Sequence, residues 1–181
     1  MKKWVISKQF EFCYGHRVWN QILDSEFSID SKCACRHLHG HQGTILINLK
    51  GEELENGMVT DFKHLNWFKK WLDDTLDHKF IMDVNDPLFN HEVPDLDNKR
   101  VLINWDDKGF GTLTGYKDME RISDSVCEKY EGMVFVKFVP TSENLSKWLF
   151  EIVEEKMKKI NVSVEKIEFF ETPKSKSTYG Y

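Results

Sequence analysis

The sequence predicts an α+β fold in which strand segments are interrupted by two amphipathic helices. Residues 4–14 alternate between apolar and polar side chains, which is the period of a strand with one buried face. Apolar residues recur at helical spacing after Thr60 and again over residues 142–159. A last strand segment covers residues 162–171, so strands are expected both before and after the helices.

The first strand separates its side chains cleanly by parity. The face expected in the core carries Trp4, Ile6, Phe10, Phe12 and Tyr14. The opposite face carries Ser7, Gln9 and Glu11. Residues 17–32 show no period and contain Asp, Ser and Asn, which favours a long loop.

A second strand is expected over residues 39–50, followed by a polar turn at residues 51–57. The first helix should then begin with Thr60 as N-cap and with Asp61 near the positive end of the helix dipole. It should end at Asp77-His78, and its apolar face comprises Phe62, Leu65, Phe68, Leu72 and Leu76.

The remaining chain alternates between loops, strands and helices. Residues 83–98 contain two prolines and many Asp and Asn residues, which predicts a loop. Strands are expected over residues 101–105 and 133–139. A short helix is expected between these strands from the spacing of Met119, Ile122, Val126 and Tyr130. The tail after residue 172 is a candidate for a short final strand.

Composition bounds the class of protein. The 181 residues fit one domain, and contents of 40% hydrophobic and 13% aromatic residues argue against disorder. A net charge of −5 gives no basic excess for binding nucleic acid. No apolar run approaches the roughly 20 residues of a membrane span, and the N-terminus lacks the features of a signal peptide. We therefore expect a soluble cytoplasmic protein, whose four irregularly spaced cysteines do not predict a disulfide framework.

The most informative stretch is residues 33–41, which hold two cysteines and three histidines. His39 and His41 point to one face of an extended chain, with only Gly40 between them to crowd an ion. With His16 as a third ligand, they would form a zinc site. Three histidines leave the fourth position of zinc open, which is the pattern of a catalytic site.

Other ligand sets remain open on these residues alone. His37 has the same parity as His39 and could compete with it, whereas Cys33 and Cys35 could close a structural, non-catalytic zinc site with two histidines. If Cys35 lies beside a metal, the positive field favours its thiolate, which could act as a base. Cys13 and Cys127 fit small buried hydrophobic residues better.

Two further features have both a structural and a functional interpretation. His78, at a helix end, fits a simple interaction with the helix dipole, and alternatively an Asp77-oriented proton relay. Glu171 fits a solvated carboxylate at a strand end. It could also accept two parallel N–H groups from a guanidine-like heterocycle edge.

Six blocks in this order resemble the 6-pyruvoyl-tetrahydropterin synthase / 6-carboxy-tetrahydropterin synthase family. The blocks are Phe12-x3-His16, Cys35-x3-His39-Gly-His41, Gly57-Met-Val-Thr-Asp61-Phe62, Leu76-Asp-His78, Pro140-Thr-Ser-Glu-Asn144 and Glu171-Thr172. The resemblance implies a single T-fold domain over residues 1–181, with a four-stranded antiparallel sheet and two helices on one face. It also implies homo-oligomers, usually hexamers, that are built as barrels with active sites between subunits.

The resemblance also implies roles for individual residues. Cys35 would be the general base, and Asp77 and His78 would form a relay donated by a neighbouring subunit. Glu171 would anchor the amino-pyrimidinone edge of a pterin. Zinc would be held by His16, His39 and His41. The residues expected near the pterin are Thr141, Ser142 and Glu143.

The family substrate is 7,8-dihydroneopterin triphosphate, and two branches of the family form different products. Cys35 matches the carboxy-forming bacterial spacing, whose product leads towards queuosine, whereas Cys33 matches the pyruvoyl-forming animal spacing. We therefore expect a zinc-dependent carbon–carbon lyase with Cys35 as its base. One departure from compact bacterial members is an insertion at residues 79–139, expected to add a strand pair and a short helix.

Overall fold

The computed structural model describes residues 3–28, 33–97, 100–117 and 122–181, and every structural statement below refers to these residues. Its strands are β1 (Trp4–His16), β2 (His39–Gly51), β3 (Lys79–Asp83), β4 (Val101–Trp105), β5 (Phe110–Tyr116), β6 (Met133–Val136), β7 (Ser163–Thr172) and β8 (Ser175–Gly180). Its helices are α1 (Asn66–Thr75), α2 (Phe89–Glu92), α3 (Pro94–Asp97), α4 (Asp124–Glu131) and α5 (Ser142–Lys158).

The expected four-stranded antiparallel sheet is wrong, although the α+β class is confirmed. The described sheet has eight strands in the order β4-β5-β6-β3-β1-β2-β7-β8, and it is mixed. The additional strands, β3 to β6, all come from residues 79–136. β3 pairs in parallel with the end of β1, where Tyr14 lies opposite Lys79, and β6 then pairs in parallel with β3. The inserted residues therefore extend the sheet.

The chain forms two compact units, and the first comprises Met1–Cys13, His41–Asp77 and Ser142–Tyr181. In this unit β2 pairs antiparallel with β7, and β7 pairs antiparallel with β8. Helix α5 packs on β7 and β8. The expected helix over 142–159 and the expected final strands are thus confirmed. Fully buried side chains of this unit include Ile45, Ile47, Leu49, Phe68, Leu72 and Leu149.

The first helix begins later than the sequence predicts. Helix α1 starts at Asn66, after Leu65, which makes no capping side-chain hydrogen bond, and it ends at Thr75 rather than at Asp77-His78. Asp61, not Thr60, caps the turn before the helix, because its side chain accepts a 2.7 Å hydrogen bond from the Lys63 amide. The Thr60 hydroxyl instead lies 2.6 Å from His64 Nδ1. A 3₁₀ turn over Phe62–Leu65 precedes α1, and Phe62 is 49% exposed.

The second unit comprises Tyr14–Gly40 and His78–Thr141. Its core is formed by Met82, Phe89, Val93, Val101, Tyr130 and Phe135. The described residues between 79 and 136 form four strands and three short helices, where the sequence indicated a strand pair and one helix. Helices α2 and α3 occupy the expected loop at 83–98, and Met119 lies outside the described residues. No helix among the described residues is long and apolar enough to cross a bilayer.

Candidate active site

His16 is the last residue of β1 and is fully buried. Its Nδ1 lies 2.7 Å from the carbonyl oxygen of Pro140. A carbonyl oxygen can only accept, so Nδ1 carries the hydrogen and Nε2 presents its lone pair. A backbone carbonyl at this position is the usual partner of a metal-binding histidine, because it fixes the tautomer and the ring orientation.

His39 opens β2 and is oriented in the same way. Its Nδ1 lies 2.8 Å from the carbonyl oxygen of His37, so Nδ1 again carries the hydrogen and Nε2 carries the lone pair. The rings of His16 and His39 lie 4.6 Å apart between centroids. His37 thus supports His39 through its backbone, and among the described residues its side chain belongs to no metal-binding cluster.

Gly40 is needed for a reason that the sequence did not indicate. A Cβ built on Gly40 would lie 2.9 Å from the carbonyl oxygen of Tyr14, closer than real Cβ contacts allow. The backbone of β2 therefore approaches that of β1 at this point, and only glycine permits the approach. This contact constrains Gly40 in addition to the expected role, which is to leave room for an ion between His39 and His41.

Potential ligand atoms of His16, His39 and His41 all lie within 4.8 Å of one another. The group could therefore hold a metal ion. The donor set fits zinc, which takes neutral imidazole nitrogens, and two of the three rings have the tautomer that ligation through Nε2 requires. The predicted histidines are thus brought together.

Glu171 lies beside this cluster. It sits near the end of β7, and its Oε1 is 3.7 Å from Nε2 of His41. Both side chains are partly buried, with 23% of the Glu171 side chain and 18% of the His41 side chain exposed. A carboxylate in this position can bind a donor group of a ligand that also reaches the histidines.

Asp77 and His78 form a second cluster with Cys13, in which potential ligand atoms again lie within 4.8 Å of one another. Asp77 Oδ1 accepts a 2.7 Å hydrogen bond from the Cys13 amide, which fixes the carboxylate after helix α1. His78 has φ of 60°, the left-handed conformation that often ends a helix. Its side chain is exposed.

Cys13 is a member of this cluster that the sequence pattern did not single out as a candidate functional residue. Cys13 is exposed, so its interpretation as a small buried hydrophobic residue is wrong. The signal was present in the parity of β1, because Cys13 shares the face of Gln9 and Glu11, both of which are exposed.

Cys35 lies in a single 3₁₀ turn, Ala34–Arg36, and is partly buried. Its carbonyl oxygen accepts a 2.8 Å hydrogen bond from the Val18 amide. Among the described residues, Cys35 belongs to neither ligand cluster. The thiol of Cys33 donates a 2.7 Å hydrogen bond to Oε1 of Gln21.

Thr141, Ser142 and Glu143 surround the start of helix α5. The Thr141 amide donates to the Val139 carbonyl at 2.8 Å, and the Ser142 hydroxyl lies 3.3 Å from Glu143 Oε2. The Ser142 carbonyl accepts a 2.6 Å hydrogen bond from the Ser177 hydroxyl of β8. Glu143 is exposed, so its carboxylate is accessible to a ligand.

Comparison with known proteins adds a second line of evidence. The 6-pyruvoyl tetrahydropterin synthase family profile matches residues 5–180. A protein of Aquifex aeolicus named 6-carboxy-5,6,7,8-tetrahydropterin synthase is 33% identical, over 98% of each chain.

Solved structures give the same result at the level of the fold. An uncharacterized protein of Wolinella succinogenes is 44% identical with a TM-score of 0.91, over 99% of each chain. The 6-pyruvoyl tetrahydropterin synthase of Plasmodium vivax has a TM-score of 0.58, over 100% of this chain and 99% of that chain. Its 17% identity supports the shared fold alone.

Proposed function

We propose, from the premise that this chain belongs to the 6-pyruvoyl tetrahydropterin synthase family, that it is a 6-carboxy-5,6,7,8-tetrahydropterin synthase. Such an enzyme converts 7,8-dihydroneopterin triphosphate and water into 6-carboxy-tetrahydropterin, acetaldehyde and triphosphate. The observation that carries the proposal is the cluster of His16, His39 and His41 with Glu171 beside it. The full-length similarity to the Aquifex aeolicus protein supports the choice of product.

In this proposal His16, His39 and His41 hold zinc. When bound, zinc would supply Lewis-acid polarisation of the hydroxyl and carbonyl groups on the substrate side chain. Pro140 and the backbone of His37 hold the rings of His16 and His39 in place, so these ligands need not reorient to bind.

Glu171 would bind the amino-pyrimidinone edge of the pterin. Two adjacent N–H groups on that edge match the two oxygens of a carboxylate, as in an Arg–carboxylate pair. Its 3.7 Å distance from His41 supports a position in which the bound pterin directs its side chain towards the three histidines. Thr141, Ser142 and Glu143 would contribute secondary contacts to the ring.

Proton transfers would be carried out by Cys35 and by the Asp77-His78 pair. The thiol of Cys33 donates a hydrogen bond to Gln21, which argues against Cys33 as the base and favours the family position at Cys35. Asp77 is held by the Cys13 amide, and His78 next to it is exposed. That exposure supports a relay donated to a neighbouring copy in a homo-oligomer, for which a barrel-forming hexamer is our proposal.

The proposed product would serve the synthesis of queuosine and related 7-deazaguanines in the cytoplasm. The test is an anaerobic incubation of zinc-loaded protein with 7,8-dihydroneopterin triphosphate, with pterins identified by chromatography and mass. A 6-carboxy product formed together with acetaldehyde is the expected result. Absence of turnover by zinc-loaded, assembled protein would contradict the proposal and favour a non-catalytic zinc-binding module.

The second candidate is a 6-pyruvoyl-tetrahydropterin synthase, which eliminates triphosphate without cleaving the carbon–carbon bond. The observation that favours it is Cys33, at the spacing of the pyruvoyl-forming members. A 6-pyruvoyl product, or loss of turnover only when Cys33 is replaced, would select this candidate over the first.

A further inference from the structure

We propose that the cavity formed by the connection between β1 and β2 binds the triphosphate group of the substrate, with Arg36 as its principal charged contact. This inference rests on the proposed function for the identity of the anion. The cavity has a volume of about 510 Å³, and its lining includes Arg17, Gln21, Cys33, Arg36 and His37 together with two aliphatic side chains. The seven described lining residues include no carboxylate.

The two guanidinium groups differ in how far their charge is already compensated. Arg17 Nε lies 3.0 Å from Oδ2 of Asp86, whose side chain is only 1% exposed. Asp86 is held in turn, because its Oδ1 accepts a 2.8 Å hydrogen bond from the Leu88 amide. Arg17 is thus fixed in position, but much of its charge is neutralised by a buried carboxylate.

Arg36 has no carboxylate partner among the residues that the structure describes. Its Nη1 donates a 2.7 Å hydrogen bond to the backbone carbonyl of Gln21, which orients the guanidinium without neutralising it. A guanidinium presents donors in a planar fork that matches two phosphate oxygens, so it is well suited to bind an oligophosphate. Among the described residues, the cavity therefore has one oriented cation with no carboxylate partner, Arg36, and a second cation, Arg17, that is paired with Asp86.

The cavity adjoins two of the proposed metal ligands along the chain. Arg17 directly follows His16, and the carbonyl oxygen of His37 accepts the hydrogen bond that orients His39. An anion in this cavity would therefore lie close to the reacting end of a substrate bound at the histidines. A group of three linked phosphates is the part of the proposed substrate that carries negative charge and is released, so it fits this position.

The size of the cavity agrees with an oligophosphate rather than with a single small ion. Pockets of roughly 300–1,000 Å³ hold ligands of small-molecule size, whereas a water molecule occupies only about 30 Å³ of liquid. At about 510 Å³ the cavity is larger than one orthophosphate requires. Inorganic tripolyphosphate is therefore the appropriate probe, with orthophosphate as the comparison.

The experiment is a calorimetric titration of zinc-loaded, full-length protein with inorganic tripolyphosphate. The variants are Arg36→Gln and, as a matched control, Arg100→Gln, because Arg100 pairs with Asp95 at 3.3 Å and does not line the cavity. Arg36→Gln should weaken tripolyphosphate binding roughly 10- to 100-fold, the usual range for losing a charged hydrogen-bonding partner. Arg100→Gln should leave the affinity unchanged.

Equal affinity of the wild-type protein and Arg36→Gln for tripolyphosphate would overturn the inference, as would equally tight binding of orthophosphate. A thermal melt of Arg36→Gln shows whether the variant is folded, and Arg36→Lys, which keeps the charge, should recover part of the affinity. The two proposals fail separately. Arg36-dependent tripolyphosphate binding without turnover of the pterin triphosphate contradicts only the proposed function, whereas turnover with Arg36-independent binding contradicts only this inference.

Discussion

His16 donates its Nδ1 hydrogen to the carbonyl oxygen of Pro140, which lies 124 residues further along the chain. This contact joins the end of β1 to the segment that leads into helix α5. Proline has no amide hydrogen, but its carbonyl oxygen accepts hydrogen bonds like that of any other residue. The orientation of a proposed metal ligand thus depends on a distant turn.

Replacing His41 with alanine should remove most of the bound zinc, because two imidazoles provide only half of a tetrahedral set. Metal content measured by mass spectrometry after dialysis should fall from about one ion per chain, the number that a single three-histidine site predicts, to near zero. His91→Ala is the matched control, since His91 is exposed in helix α2 and belongs to neither ligand cluster. Full zinc retention by His41→Ala would contradict the assignment of this ligand.

Gly40→Ala should lower the free energy of unfolding by about 1–3 kcal/mol, the usual cost of forcing extra atoms into a tight contact. The added Cβ would meet the Tyr14 carbonyl at 2.9 Å, so β1 and β2 would have to move apart. Urea denaturation measures the loss of stability. Zinc affinity should also fall, because Gly40 lies between the two proposed ligands His39 and His41. Gly132→Ala is the control, because its Cβ would lie 3.4 Å from the nearest atom, an ordinary contact.

Glu171→Gln should lower kcat/KM for the pterin substrate by about 10- to 100-fold, as expected when a charged acceptor of N–H groups is lost. Steady-state kinetics measure the change in kcat/KM. Zinc content should stay at the wild-type level, because Glu171 is not one of the three proposed zinc ligands. Glu128→Gln on the exposed surface of α4 is a suitable comparison. An unchanged kcat/KM would exclude Glu171 as the pterin anchor.

Separate substitution of Cys35 and Cys33 with alanine tests the choice of base. Cys35→Ala should reduce kcat by about 100-fold or more, within the range for removing a general base. Cys33→Ala should retain most of the activity, because this thiol is hydrogen-bonded to Gln21. The reverse pattern would move the catalytic role to Cys33 and support the pyruvoyl-forming candidate.

Glu168→Gln should reduce the loss of stability in acid. Hydrogen bonds from Lys176 and then Lys166 lower the pKa of the Glu168 carboxyl below its usual 4.5, although burial opposes the shift. A depressed folded-state pKa stabilises the protein above the unfolded pKa, and this contribution is lost as pH falls through the folded value. Urea denaturation from pH 6 down to pH 3 should therefore show a shallower decline for the variant, and an identical slope would contradict the assignment.

The strands and helices that carry the histidines and Glu171 could be predicted because each has one buried face. Phe10, Phe12 and Tyr14 are buried as their parity predicts, although Trp4 is 58% exposed. The same rule, applied to Cys13, would have placed it on the exposed face. Local patterns of this kind are set by short-range spacing, which a sequence displays directly.

The features that could not be predicted depend on contacts between distant segments. Strand β3 follows directly from His78 and is only five residues long, so its pairing with β1 and β6 has no local signal. Strand β5 contains Gly111 and Gly115, which weaken a strand pattern, and Gly111 is required because its Cβ would press on Ile103 and Trp105. The resemblance to compact relatives gave no information about these inserted strands.

Because Pro140 orients the proposed zinc ligand His16, zinc binding should stabilise the folded segment around Pro140. An ion that binds the assembled histidines has no equivalent site in the unfolded chain, so free zinc at 100 times its dissociation constant would add about 2.7 kcal/mol to stability. The melting temperature should therefore rise with the free zinc concentration. Chelation should make the turn at Pro140 one of the segments where the native structure first opens to solvent exchange.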